Sequence, residues 1–230
     1  MTTSRTSTTL ATGALLAFLA LPSSAGELAV EAHAGYFQMA AENSASALFG
    51  SRGGPTFGGA VRYTFWRGAF ASAGARTFSK EGERVFVSTP NSPEQKLGFP
   101  LSMRITPILL TLGYRFRDGS LIVPYVGAGA SITSYEERSD VAGESFDEDR
   151  SKTGFLGVAG VEVGRGTFRF GAEVGFSSVS DAVGLGGVSK VYGEDDLGGL
   201  HALGKLIVAF GGRPRSPAAP AGKKGARPKP

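Results

Sequence analysis

A chain of 230 residues without cysteine has neither a disulfide framework nor a thiolate metal site to stabilise it. With 35 glycines, 10% aromatics and only 19% charged residues, it is poor in the Glu and Lys of exposed helices and rich in residues suited to curved strands. The formal charge of +4 comes from the chain ends: Arg5 near the start and Arg213, Arg215, Lys223, Lys224, Arg227 and Lys229 in an acid-free tail leave a mildly acidic body, which argues against a nucleic-acid partner.

Residues 1–25 open with a polar stretch, continue as an apolar run from Leu10 to Leu21, and end in P-S-S-A before Gly26. That is the pattern of an export signal cleaved after Ala25. The run is too short to cross a hydrocarbon layer of ~30 Å as a helix, and no later stretch reaches the necessary length. A membrane location therefore requires strands.

From Glu27 onward the period is two. Eight segments show it, at about 27–39, 55–66, 68–80, 102–116, 121–135, 152–164, 166–180 and 199–210. Trp66-Arg67-Gly68, Arg117-Asp118-Gly119-Ser120 and Arg165-Gly166 between them are tight turns, with glycine supplying positive φ. The other connections, 40–54, 81–101, 136–151 and 181–198, are long and polar. Such alternation predicts an all-β protein whose residues 26–212 form an eight-stranded antiparallel up-and-down transmembrane β-barrel, with short turns and both termini in the periplasm and long loops outside. A soluble lipocalin-like barrel shares the topology but needs a polar outer face.

The faces favour lipid. Phe57, Val61, Tyr63 and Phe65 alternate with Arg62 and Thr64; Phe168, Phe170, Val174 and Phe176 alternate with Arg169 and Glu173; Leu206, Val208 and Phe210 alternate with Lys205 and Ile207. Tyr36, Trp66, Tyr114 and Phe116 fall near strand ends, where aromatic rings favour the headgroup level. In the third segment Ala69, Ala71, Ala73 and Ala75 oppose Phe70, Ser72, Gly74, Arg76 and Phe78, and the pattern alone leaves the facing open.

The run I-T-P-I-L-L-T-L-G-Y-R-F (105–116), the turn R-D-G-S, the strand P-Y-V-G-A-G-A-S (124–131), G-F-L-G-V-A-G-V-E-V (154–163), F-G-A-E-V-G-F-S (170–177) and D-D-L-G-G-L (195–200) follow in order before a strand ending at Phe210. In this order they resemble the bacterial outer-membrane β-barrel domain family, which includes relatives of outer-membrane protein W. The resemblance implies a cell outer-membrane location, and it implies that Phe210 acts as the terminal signal read by barrel-assembly machinery. Here a twenty-residue tail follows that phenylalanine, a departure from the family's pattern.

Turning the charged alternates inward collects Glu31, His33, Arg62, Arg115, Glu162, Arg169, Glu173 and Lys205 in the lumen, with Arg76 joining if its strand faces that way. An eight-stranded barrel has room inside for little more than side chains, so buried charges there must pair. The expectation is an ion-pair network filling the lumen of a barrel with a structural role, or a narrow passage for small solutes. No cofactor, metal or catalytic residue is expected. The alternatives are a lipid-modifying barrel enzyme built around His33 or His201, and a binding protein using its loops, with Phe49, Phe86, Phe99 and Phe146 as candidate contacts. Glu136, Glu137, Asp140, Glu144, Asp147, Glu148 and Asp149 lack the spacing of a calcium loop and read as a solvated acidic loop. Residues 213–230, basic and proline-rich, read as a disordered periplasmic tail. Expected partners are outer-membrane lipid, lipopolysaccharide and the assembly machinery, with the protein as a monomer.

Overall fold

The computed structural model describes residues 26–117, 120–141, 144–183 and 187–211, with side chains outside 140–148. The proposed export signal and the basic tail lie outside these residues. Eight strands close into one antiparallel barrel in chain order: β1 (Glu27–Met39), β2 (Gly53–Thr64), β3 (Ala69–Phe86), β4 (Gln95–Arg115), β5 (Ile122–Val141), β6 (Glu144–Arg165), β7 (Phe168–Ser178) and β8 (Gly199–Gly211). Every sequential pair is hydrogen-bonded, and β1 pairs with β8 without a break from Glu27↔Gly211 to Met39↔Gly199. Closure leaves no backbone edge for lipid to contact.

Three tight turns join the strands at one end. Arg67 and Arg117 adopt positive φ (46° and 54°) and Gly68 and Gly166 share the left-handed region, giving the chain the reversal that a hairpin needs. At the opposite end the structure departs from the expected loops. The connection at 81–101 is mostly strand, since β3 runs on to Phe86 and β4 begins at Gln95. The acidic segment 136–151 is a hairpin extension in which Glu136 pairs with Asp149 and Arg138 with Asp147. Outside the bilayer both faces of a ribbon meet water, so nothing forces an apolar alternation, and an acidic sequence can still extend a ladder. At ~3.3 Å per residue and ~40° tilt, the 20 residues of β5 rise about 50 Å, roughly twice the ~25 Å apolar band of such barrels.

Two short helices fill the remaining long connections: α1 (Glu42–Phe49) between β1 and β2, and α2 (Gly187–Tyr192) between β7 and β8. The ladder between β3 and β4 skips the pairs Arg76–Pro107 and Thr77–Thr106 and shifts register between Glu83 and Val85. Proline has no N–H to donate, which accounts for the gap.

The outer wall is apolar where membrane would lie. Leu112 (66% exposed), Phe168 (67%) and Phe170 (68%) project outward with Leu110, Val126, Phe155 and Val174. In β3 it is the alanines that face out, while Phe70, Arg76 and Phe78 are buried in the lumen.

Candidate functional site

The lumen is layered along the barrel axis, and its lowest layer, near the short turns, is ionic. Arg169 grips both carboxylate oxygens of Glu27, and Arg115 Nη1 lies 3.1 Å from Glu27 Oε1. The second Arg115 nitrogen donates to Glu162 Oε2 at 3.0 Å. Arg62 Nη1 donates to Glu162 Oε1 and lies 3.1 Å from Glu31 Oε1. Lys205 Nζ then joins Glu31 Oε2 (3.0 Å) to Glu173 Oε2 (2.5 Å). The hydroxyl of Tyr125 donates to the same Glu173 oxygen at 2.8 Å, and His201 Nε2 stands 3.6 Å from the other. The result is a zigzag in which successive carboxylates are bridged by cations from strands on different sides of the barrel.

All nine charged or imidazole groups placed in the lumen from the sequence, Arg76 included, line this zigzag or the cavity above it. Arg169 pairs with Glu27 and approaches Glu162 at 3.7 Å rather than meeting Glu173 on its own strand. Two participants are not singled out from the sequence, Glu27 and Tyr125, whereas His201 is considered there beside His33. Glu27 shares the inward parity of Glu31 and His33, so the period itself marks it. Tyr125 sits over Gly160 on the next strand, where a Cβ would come within 2.5 Å of the phenol ring. Phe210 stands on the outer wall, half exposed, one residue before the end of β8.

Above the zigzag lies a cavity of ≈ 40 Å³ among His33, His201 and Arg76, and a second of ≈ 20 Å³ between Arg76 and the apolar layer. Each has room for one or a few water molecules. Among the described residues no hydroxyl is hydrogen-bonded to either imidazole, although Ser72 and Thr111 line the same space.

The top layer is apolar. Phe37, Phe78, Met103, Ile105, Tyr135 and Val179 meet Ala182 and Leu197 from the β7–β8 connection, and Phe49 of α1 packs on them. Asp196 holds the connection in place by accepting from the Val179 and Gly198 N–H groups and the Ser178 hydroxyl, each at 2.7 Å. Of the four loop phenylalanines considered as contacts, Phe49 is taken up in this layer, Phe99 is partly buried and Phe86 is exposed; the side chain of Phe146 is outside the described residues.

Glu194 locks the lid. Its carboxylate accepts from the N–H groups of Asn43 (2.9 Å) and Ser44 (2.8 Å) and from the Ser44 hydroxyl (2.6 Å), satisfying the first turn of α1 from a residue 150 positions away. Burial alone would raise its pKa, but these donors hold it below the ordinary 4.5. A depressed folded-state pKa contributes stability that is present above the ordinary value and lost as pH falls through the folded one. Protease cleavage or deuterium uptake at 42–49 should therefore rise as pH is lowered from 6 to 3. In Glu194→Gln uptake should be high throughout and its pH dependence flattened; an unchanged profile in the variant would exclude Glu194 as the lock.

The family model for the outer membrane protein beta-barrel domain matches residues 11–181. Among solved structures the chain is similar to the outer membrane protein OprG from Pseudomonas aeruginosa, at 15% identity and TM-score 0.50, covering 81% of this chain and 96% of that one. It is also similar to a major outer membrane protein from Thermus thermophilus (12% identity, 81% and 100% covered, TM-score 0.49). A further similar structure is Ail, the attachment invasion locus protein of Yersinia pestis, in complex with the heparin analogue sucrose octasulfate (16%, 81% and 99%, 0.47). At these identities the likeness concerns the fold. Comparison with curated proteins gives no match.

Proposed function

The chain belongs to the outer membrane protein beta-barrel domain family, and on that premise we propose that it is a sealed outer-membrane barrel with a structural role. The observation that carries this reading is the sequence of barriers along the axis: bridged charges, two small separate cavities, then an apolar layer under a helical lid. A hydrated ion passing that way would have to break the cross-barrel ion pairs and then shed water in a layer lined mainly by apolar side chains, both costly. We further propose export through the N-terminal signal, insertion by barrel-assembly machinery reading Phe210, and a monomeric barrel set in lipid with lipopolysaccharide around its long hairpins. The half-exposed position of Phe210 near the end of β8 supports the second of these.

Planar-bilayer recording of the refolded protein tests the sealed lumen. In molar KCl at neutral pH the expected trace stays at the bilayer baseline. Steady, discrete openings that scale with KCl would overturn the reading in favour of a narrow passage.

A further inference from the structure

The lumen's charges do not balance. Among the described residues, four carboxylates, Glu27, Glu31, Glu162 and Glu173, and five permanent cations, Arg62, Arg76, Arg115, Arg169 and Lys205, stand between the short turns and the apolar layer. Each carboxylate is bridged by cations other than Arg76. Among the described residues Arg76 has no carboxylate within 4.0 Å, its Nη1 has no hydrogen-bond partner in the chain, and the residue is 5% exposed. A guanidinium cannot escape by losing its proton, so a buried and unanswered charge of this kind calls for a counterion.

The surroundings of Arg76 supply donors. The registers of β8, β1, β2 and β3 set Lys205, His33, Gly58 and Arg76 in one row across the sheet. Gly58 makes the row possible: a Cβ there would lie 2.5 Å from His33 Nε2 and 2.9 Å from Arg76 Cα. Gly175 clears the same kind of space for His201. Both nitrogens of each imidazole lack a hydrogen-bond partner in the chain, and the Ser72 and Thr111 hydroxyls line the same ≈ 40 Å³ cavity. The two carboxylates facing this space already face cations. Glu31 meets Arg62 and Lys205, while Glu173 meets Lys205 and Tyr125. Carboxylate, sulfate and phosphate groups are too bulky for a space of a few water molecules, and a cation would meet Arg76 and Lys205.

We propose that this cavity binds one monovalent anion of halide size as the counterion of Arg76, with imidazole and hydroxyl groups completing its shell. The site goes beyond the sealed-barrel reading. The cavity lies between the ionic layer and the lid, and refolding in the presence of the anion is the direct way to load it.

The test refolds the protein in detergent with gluconate as the only anion, or with gluconate replaced stepwise by chloride or bromide at constant ionic strength. The expected result is a saturable rise in Tm with either halide, absent from Arg76→Met and retained in Arg76→Lys. Crystals grown from bromide-refolded protein should show an anomalous peak in contact with the Arg76 side chain; this measurement stands on the parent protein if Arg76→Met does not refold. Equal Tm in gluconate and halide, a halide effect that persists in Arg76→Met, or bromide only on the outer surface would each overturn the proposal.

Discussion

Glu162→Gln should be the most damaging single change in the lumen, lowering the unfolding free energy of the refolded barrel by about 3–5 kcal/mol. Glu162 is 1% exposed, contacts Arg62 and Arg115 with separate oxygens, and lies 3.7 Å from Arg169. Glutamine keeps its size, so packing barely changes while Arg62, Arg115 and Arg169 each lose one of the two carboxylates they face. Urea titration in detergent, following the shift between folded and unfolded mobility on gels, measures the cost. Glu173→Gln should cost less, because Tyr125 and Lys205 meet it beside a cavity that can admit water. Replacing Arg62 and Glu162 together by methionine should restore part of the loss, since no lone charge then remains between them. A cost below about 1 kcal/mol for Glu162→Gln would mean that this layer is wet and behaves like a surface pair.

Leu110→Arg should cost about 2–4 kcal/mol in a lipid bilayer. Along β4 the outward residues run from Tyr114, near the short turns, through Leu112, Leu110 and Ile108 to the exposed Arg104. Ten residues at ~3.3 Å each and ~40° tilt span about 25 Å, the height of the apolar band, which sets Leu110 close to the bilayer midplane. An arginine there must bend toward a headgroup or draw water inward. The reverse change on the extended hairpin, where an exposed charge already stands, should cost little either way, so Arg138→Leu serves as the control. Equal stability of Leu110→Arg and its parent in vesicles would show that this wall does not face hydrocarbon.

How much of this is readable without coordinates depends on whether a residue's role is local. The inward charges follow from alternation alone, because one face of a strand in lipid must be apolar and the other is free to carry Arg and Glu. Glu27 obeys the same alternation and escapes notice only because it stands at the strand's first position. The third strand is ambiguous for a physical reason: its small residues face lipid and its rings face inward, against the usual polarity. Its Phe70 fills space over Gly113 and meets Tyr125 edge-on at 6.1 Å, contacts fixed by registers with two other strands. The lid is out of reach of any local pattern. Eight residues of α1 carry no strong helical signal, and their N-terminal turn is completed by Glu194 from the far end of the chain. The acidic hairpin misleads for the opposite reason, since water on both of its faces erases the alternation by which strands are recognised.

The missing pairs opposite Pro107 bear on where the wall would first part. A closed barrel must join its first strand to its last across the longest chain separation, and loop-closure entropy alone would make that junction its weakest line. Here β1 and β8 are zipped along their whole length, whereas β3 and β4 are unstitched at Arg76–Pro107 and Thr77–Thr106, with the Thr77 carbonyl taken instead by the Thr56 hydroxyl at 2.9 Å. Under strain the wall would first part at that gap, inside a hairpin between neighbours in sequence, rather than where its two ends meet.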